Sequence, residues 1–245
     1  MPVGLFKDAE RRRHLACLVG WHRAARQSNL LGIGRFHIRR FGRAREDERV
    51  ERLESSIPLD VPLTNGPDGP RVVRVELVGR TELVAQDLPG SMTPVVRDKV
   101  NDKDFLSGFL DAVILSLVPG HHDPAPFHAH VIPGSQAPDS STAHRILRNI
   151  DAPRARQFLT NVVADLLGGP HVYLLPCEAV FTQILKGTSI EESVAKMLEN
   201  DRSACSSRYG PVPNIEQYQA PDEDEARAMI ERRFGLFRDS GGIGP

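Results

Sequence analysis

The hydrophobic pattern of this 245-residue chain changes its period along the sequence, and this change limits the folds that the chain can adopt. Residues 7–28 carry Leu15, Leu18 and Val19 at helical spacing, with Trp21 nearby, which predicts a helix. Residues 58–63 and 71–84 instead alternate between apolar and polar side chains, with a turn cluster between them, which predicts strands. We therefore expect an α/β fold.

The middle of the chain is predicted to contain a helix, three strands, a second helix and a fourth strand. The second of these helices opens with Asp residues suited to capping and carries Phe105, Phe109 and Val113 on one face. The predicted elements are a charged helix at 44–56, strands at 58–63, 71–84 and 93–99, a helix at 101–118, and a strand at 127–133.

A mainly helical part is predicted to follow. One helix begins at Asp151 and Pro153 and ends at Gly168–Gly169, and a short strand is predicted at HVYLLP. Further helices are predicted at about 177–186, 189–200 and 222–237. We expect a basic helical extension at 1–56, a core at 57–150, and a helical part at 151–245 that belongs to the same domain.

Charge is unevenly distributed although the net charge of the whole chain is only −1. The first 50 residues hold 12 basic and 5 acidic side chains, and the densest segment interleaves arginines with Phe36, His37 and Phe41. Such a segment can bind phosphates while aromatic rings stack on bases, or it can be a solvated surface that pairs with Glu46, Asp47 and Glu48. The candidate DNA contacts here are Arg35, Arg39, Arg40, Arg43 and Arg45.

Several functional classes lack a sequence signal. No apolar run approaches the ~18–20 residues of a membrane span, and the N-terminal segment does not resemble a secretory signal. Cys17, Cys177 and Cys205 are far apart, which does not fit a disulfide scaffold or a zinc pattern. No GxxxxGK[ST] motif for ATP binding is present. We expect a cytoplasmic protein with no membrane partner.

The predicted order αβββαβ resembles the core of the PD-(D/E)xK nucleases. In that family an acid on one strand and D/E-x-K on the next hold Mg²⁺ and orient the nucleophile, since residues two apart on a strand share a face. The matching segments are Val78–Glu82 and its predicted hairpin partner Val95–Lys99. Lys99 occupies the lysine position, but Arg97 stands at the acid position and cannot ligate Mg²⁺. The hairpin can also be an ordinary one with surface charge.

Residues 72–236 together are similar to the C-terminal region of the gamma chain of exodeoxyribonuclease V (RecC), a nuclease-like fold without catalytic acids. The similar features are a strand with Val78-Gly79-Arg80, the triplet Arg97-Asp98-Lys99, the helices 105–118 and 155–167, the segment GPHVYLLPCEAVF, and an acidic last helix. The resemblance implies a non-catalytic component of a helicase–nuclease complex for double-strand break repair. Its partners would be DNA and RecB-like and RecD-like helicase subunits, with Arg80, Arg97 and Lys99 as further DNA contacts and no cofactor.

Two other functions remain open. The chain can be an active Mg²⁺-dependent nuclease with a displaced carboxylate such as Glu76, Glu82 or Asp98. It can also be a protein-interaction module without a role on DNA.

Two further segments carry side chains that could do chemistry. His128 and His130 would share one face of a strand, which makes them a workable metal pair, near His121, His122 and Asp123. The alternative is a set of solvent-exposed loop histidines. Cys177 follows Pro176 at a predicted helix start, where a nucleophile would need a positioned His such as His171. A buried structural cysteine is the alternative. The segment SSTAH at 140–144 is predicted to be loop.

Overall fold

The fold is known from a computed structural model of the full chain. It describes residues 3–32, 36–42, 52–63, 69–85, 89–96, 100–118, 126–134, 143–168, 180–193, 195 and 223–244. The chain separates into two compact units. The first contains residues 1–58, 76–155 and 240–245, and the second contains residues 59–75 and 156–239. The α/β class is confirmed.

The first unit begins with a long helix, α1 (Val3–Gln27), followed by a 3₁₀ turn at Leu30–Gly32. Ala24, Ala25 and Leu30 of this segment pack with Ile132 in a small apolar cluster. The Trp21 indole N–H donates to the Val95 carbonyl oxygen at 2.9 Å. The predicted helix at 7–28 is therefore confirmed, and its C-terminal third is the part that packs.

A five-stranded mixed sheet forms the centre of the first unit. Its strands lie in the order β1, β7, β8, β9, β10. β7 and β8 are antiparallel, β8 and β9 are parallel, and β9 and β10 are antiparallel. The bounds are β1 (Phe36–His37), β7 (Leu83–Ala85), β8 (Gly90–Val95), β9 (Phe127–Pro133) and β10 (Ala143–Leu147).

Helix α2 (Leu106–Leu115) connects the parallel strands β8 and β9 and covers one face of the sheet. A 3₁₀ turn, Asp102–Phe105, precedes it, and the Asp104 carboxylate accepts a hydrogen bond from the Asn101 N–H at 2.7 Å. Phe109 and Val113 are fully buried, so the predicted apolar face is confirmed.

A second, three-stranded sheet contains β2 (Arg39–Phe41), β3 (Arg52–Glu54) and β6 (Gly79–Arg80). The helix predicted at 44–56 is wrong for residues 52–54, which form β3. Only residues 52–56 of that segment are described. Residues 52–54 run parallel to β2 instead, and the Gly42 N–H donates to the Glu54 carbonyl oxygen at 3.0 Å. Pairing with a neighbouring strand outweighs the helix propensity of Arg52, Leu53 and Glu54, because tertiary contacts routinely override local propensity.

The run predicted as one strand at 71–84 is divided into three strands with different partners. β5 (Arg71–Leu77) pairs with β4 (Ile57–Leu63) in a two-stranded sheet, β6 pairs with β2, and β7 pairs with β8. The hairpin register is Leu83 opposite Met92 and Val84 opposite Ser91, and Gly79 and Arg80 pair with β2. The predicted pairing of Val78–Glu82 with Val95–Lys99 stays a prediction, because residues 97–99 lie outside the described residues. The division occurs at Thr81, whose side chain and backbone both bond to Arg39.

The second unit is mainly helical. It contains most of β4 and β5, most of α3 (Ala152–Gly168), α4 (Phe181–Leu185) and α5 (Glu223–Asp239). Phe234 of α5 stacks on Phe181 with ring centroids 4.2 Å apart. Arg233 contacts the Asp165 carboxylate at 3.2 Å. The predicted helices at 151–168 and 222–237 are confirmed, as is the alternating burial of β4.

Some predicted elements lie outside the described residues. They include the strand at HVYLLP, the loop before α5, and most of residues 194–200. Among the described residues, none of the helices combines the length and the apolar character that a bilayer crossing requires.

Candidate functional site

Arg39 points into the first unit rather than toward solvent. Its side chain is only 4% exposed, and its Nε donates to His37 Nε2 at 3.2 Å. A guanidinium nitrogen lies 3.9 Å from the Glu54 carboxylate. These contacts give Arg39 a structural role in the three-stranded sheet.

Arg40 and Arg80 are the predicted DNA contacts that the fold brings together. They are direct partners on the antiparallel strands β2 and β6, so both side chains leave the same face of the sheet. Arg80 is exposed and Arg40 is half-buried. Two neighbouring guanidinium groups can bridge one phosphate through several charge-assisted hydrogen bonds.

A cleft of about 230 Å³ lies beside Arg80. The wall of the cleft is mainly apolar, and its polar side chains are those of Arg80, Thr81 and Asp111. The apolar lining residues are Phe41, Ile57, Leu77, Val78, Leu110 and Ile114. A cation beside an apolar cleft can bind a ligand that has both an anionic group and a flat apolar part.

The remaining predicted DNA contacts lie outside the described residues: Arg35, Arg43, Arg45, Arg97 and Lys99. The same holds for Asp98, for His121, His122 and Asp123, and for Cys177 with His171. Their predicted roles stay predictions.

Asp111 is a buried carboxyl group at the bottom of the cleft. Its Oδ1 accepts a hydrogen bond from the Glu82 backbone N–H at 3.2 Å, and its side chain is 5% exposed. Burial, with a smaller contribution from the Glu82 charge, raises the pKa of Asp111 to about 7, although the hydrogen bond from the Glu82 backbone lowers it in part. Much of this carboxyl group is therefore protonated near neutral pH.

The displaced carboxylates proposed for an active nuclease do not gather at one point in the described part of the chain. Glu76 is exposed and accepts a hydrogen bond from the Ser56 hydroxyl at 3.1 Å. Glu82 is exposed, its backbone N–H donates to the Asp111 carboxyl group, and its charge raises the pKa of Asp111. Within the described ranges, the one group of three or more acidic, His or Cys side chains that could hold a metal ion consists of histidines.

Three histidines meet on one face of the five-stranded sheet. His128 and His130 alternate along β9, and His144 on β10 lies directly opposite His130. One ring nitrogen from each lies within 4.8 Å of the others, and His128 Nδ1 is 3.0 Å from His144 Nε2. We call these residues the histidine cluster. Their shared face confirms the predicted placement of His128 and His130.

Burial, with smaller contributions from the charges of His144 and His128, lowers the pKa of His130 to about 4. Burial, followed by the charge of His128, also lowers the pKa of His144. The His130 Nδ1 atom is buried and has no hydrogen-bond partner among the described residues. Such an atom costs about 1–3 kcal/mol unless another group satisfies it.

Sequence reasoning missed His144, because the prediction placed residues 140–144 in a loop. Residues 143–147 form β10 instead, with Leu147 buried. The available signal was the alternation of His144 and Ile146 with Ala143 and Arg145. This segment is short, and polar and apolar residues occur on both of its faces, so it does not indicate a strand clearly.

Comparisons with known proteins identify no relative: no family model, no curated protein and no solved structure matches this chain.

Proposed function

We propose that this chain is a non-catalytic, RecC-like DNA-binding component of a helicase–nuclease complex that processes double-strand breaks. The observation that carries the proposal is the pairing of Arg40 with Arg80, of which Arg80 lines an apolar cleft. Single-stranded DNA combines phosphates, which guanidinium groups bind, with bases, which apolar surfaces accept. RecB-like and RecD-like helicase subunits are the proposed protein partners.

The chemistry of the described carboxyl groups supports a role without catalysis. A Mg²⁺-dependent nuclease needs ionised carboxylates that converge on the ion. Within the described residues Glu76, Glu82 and Asp111 do not form a three-ligand group, and the pKa of Asp111 is raised to about 7. In the RecC-like resemblance, the cation Arg97 takes the position that an acid has in such a nuclease.

The finer part of the proposal is that the first unit is a degenerate restriction-endonuclease-like core. Its support is the order hairpin, helix, parallel strand, formed by β7, β8, α2 and β9. Against a simple αβββαβ sheet stands the separate pairing of β4 with β5.

The apolar face of α1 supports a protein partner. Leu15, Leu18 and Val19 follow one another at i, i+3 and i+4, and each side chain is more than half exposed. Contiguous exposed apolar residues often mark an interaction surface. A RecB-like subunit is the partner that the RecC-like proposal implies.

Incubation of the chain with linear double-stranded and single-stranded DNA, in Mg²⁺ or Mn²⁺, tests the absence of catalysis. The proposal predicts intact DNA at enzyme-to-DNA ratios that give complete binding. Cleavage that disappears in Glu82→Ala or Lys99→Ala would instead establish the nuclease alternative.

Copurification separates the proposal from an interaction module without a DNA role. We expect DNA binding by the isolated chain, and a stable complex with a RecB-like helicase that Leu15→Ser/Leu18→Ser weakens. Complex formation without any affinity for DNA would favour the interaction module.

A further inference from the structure

We propose that the histidine cluster is a binding site for a divalent transition-metal ion, with Zn²⁺ as the ion that its ligands suit best. Neither the RecC resemblance nor the proposed function predicts such a site, and the inference does not depend on either.

The sheet brings the three side chains together through its register. His128 and His130 share a face because they are two residues apart on β9, and His144 joins that face as the cross-strand partner of His130. All the ligands lie on two hydrogen-bonded strands, so their backbone positions are fixed before an ion arrives. A preorganised set of this kind needs little reorganisation on binding.

The ring nitrogens lie close enough together to share one ion. Zn–N bonds of 2.0–2.1 Å place two ligand nitrogens about 3.3 Å apart. Here His128 Nδ1 and His144 Nε2 lie 3.0 Å apart in a hydrogen bond, and all three nitrogens lie within 4.8 Å. An ion would replace the proton that the His128–His144 hydrogen bond shares.

The rings are stacked, with interplanar angles of 11–17°, and His130 and His144 have centroids 4.4 Å apart. Parallel rings direct their lone pairs along parallel planes, so ligation requires the rings to turn about the Cβ–Cγ bonds. This torsion is soft in histidine. At Gly90, the position on β8 opposite His128, an added Cβ would lie 2.8 Å from the His128 carbonyl oxygen and 3.2 Å from its Cβ, so β8 lies close against His128.

His130 Nδ1 is buried and lacks a hydrogen-bond partner within the described chain, so an ion bound there would satisfy it. Imidazole donors favour Zn²⁺, Cu²⁺ and Ni²⁺, whereas Mg²⁺ and Ca²⁺ prefer oxygen donors. His144 is exposed, so a fourth ligand position can be filled by water.

Titration of the full chain with Zn²⁺ alone, and with Co²⁺ alone to follow d–d absorption, tests the site. We expect one ion per chain, a tetrahedral-type Co²⁺ spectrum, and no competition by a 100-fold excess of Mg²⁺. The His144→Gln variant should lower Zn²⁺ affinity by at least about tenfold and His130→Gln by a similar factor. His144 is exposed, so its variant retains the fold, which circular dichroism checks.

The matched control is His14→Gln/His22→Gln, which removes two exposed histidines of α1 and should leave Zn²⁺ affinity unchanged. A second comparison is His121→Gln/His122→Gln. Zn²⁺ binding that survives in His144→Gln but is lost in either double variant would overturn the proposal. A wild-type chain that binds neither Zn²⁺ nor Co²⁺ at 100 µM ion would also overturn it.

Discussion

Arg40 and Arg80 lie directly opposite each other on antiparallel strands, where two like charges normally disfavour pairing. Arg80 lines an apolar cleft, while Arg39, next to Arg40, turns inward to His37 and Glu54. The inward arginine supports the sheet, and Arg40 and Arg80 lie on the face that we propose for DNA.

Asp111 should make the chain less stable as the pH rises through the acid range. The folded state holds the Asp111 proton up to about pH 7, whereas an unfolded Asp loses it near 3.8. The folded chain therefore binds more protons between these values, and the free energy of unfolding falls as pH rises through this window. Asp111→Asn removes this pH-dependent change in the free energy of unfolding, which is on the order of a few kcal/mol.

The measurement is urea unfolding of wild type and Asp111→Asn between pH 4 and 8. The stability of the variant relative to wild type should increase with pH. The exposed Asp60→Asn is the control for the same carboxyl-to-amide change at the surface. Parallel pH profiles for wild type and Asp111→Asn would contradict the assigned protonation of Asp111.

Gly108→Ala should destabilise the first unit although alanine is the better helix former. An added Cβ would lie 2.8 Å from the Ala129 Cβ and 3.1 Å from the Ser91 Oγ, on two neighbouring strands. Overpacking costs about 1–3 kcal/mol, which exceeds the ~1 kcal/mol gained in helix propensity. We expect a net loss of roughly 1 kcal/mol in chemical unfolding.

Gly235→Ala in α5 is the matched substitution, and it should increase stability rather than decrease it. The atom that its Cβ would meet is the carboxylate end of Glu231, a flexible side chain that can move away. A gain of about 0.5–1 kcal/mol is expected from helix propensity. Equal effects of Gly108→Ala and Gly235→Ala on stability would show that α2 has room for an added Cβ at Gly108, which would contradict the prediction.

Arg39→Gln should lower stability rather than act on DNA directly. It removes a buried cation from the Glu54 carboxylate and the His37 ring. Breaking a buried pair costs several kcal/mol, but Glu54 is partly exposed, so we expect a loss of about 2 kcal/mol. Thermal unfolding measures this loss, and Arg74→Gln, on the exposed face of β5, serves as the control.

The elements with strong local signals could be predicted from the sequence. Helix α2 follows a cluster of acidic residues and has a continuous apolar face, and β9 was predicted with the bounds that it has. Helix α3 was predicted from Asp151, whose carboxylate accepts a hydrogen bond from the Arg154 N–H at 2.9 Å. Helix capping and hydrophobic periodicity depend on residues that are close in sequence, so both can be recognised in a single sequence.

Strand partners and the sites that depend on them could not be predicted in the same way. The division of 71–85 into β5, β6 and β7 depends on contacts with Arg39, more than 40 residues away. His144 entered a site only because β10 pairs with β9. The inward turn of Arg39 depends on Glu54, in a segment predicted as helix. These are long-range choices, which local alternation does not encode.

Salt-dependent binding of single-stranded DNA tests the central claim most directly. Fluorescence anisotropy with a labelled oligonucleotide, from low to physiological salt, gives the slope of log affinity against log salt concentration. Each phosphate contact contributes about 0.7 to this slope for single strands. Wild type should bind with a steep slope, and Arg40→Gln/Arg80→Gln should bind more weakly, with a slope smaller by about 1.4.

The control is Arg74→Gln/Arg148→Gln, which removes the same charge from two exposed arginines elsewhere. It should retain the affinity and the slope of the wild type. A wild-type chain without measurable affinity for DNA, or equal losses in the two double variants, would contradict the proposed DNA-binding surface.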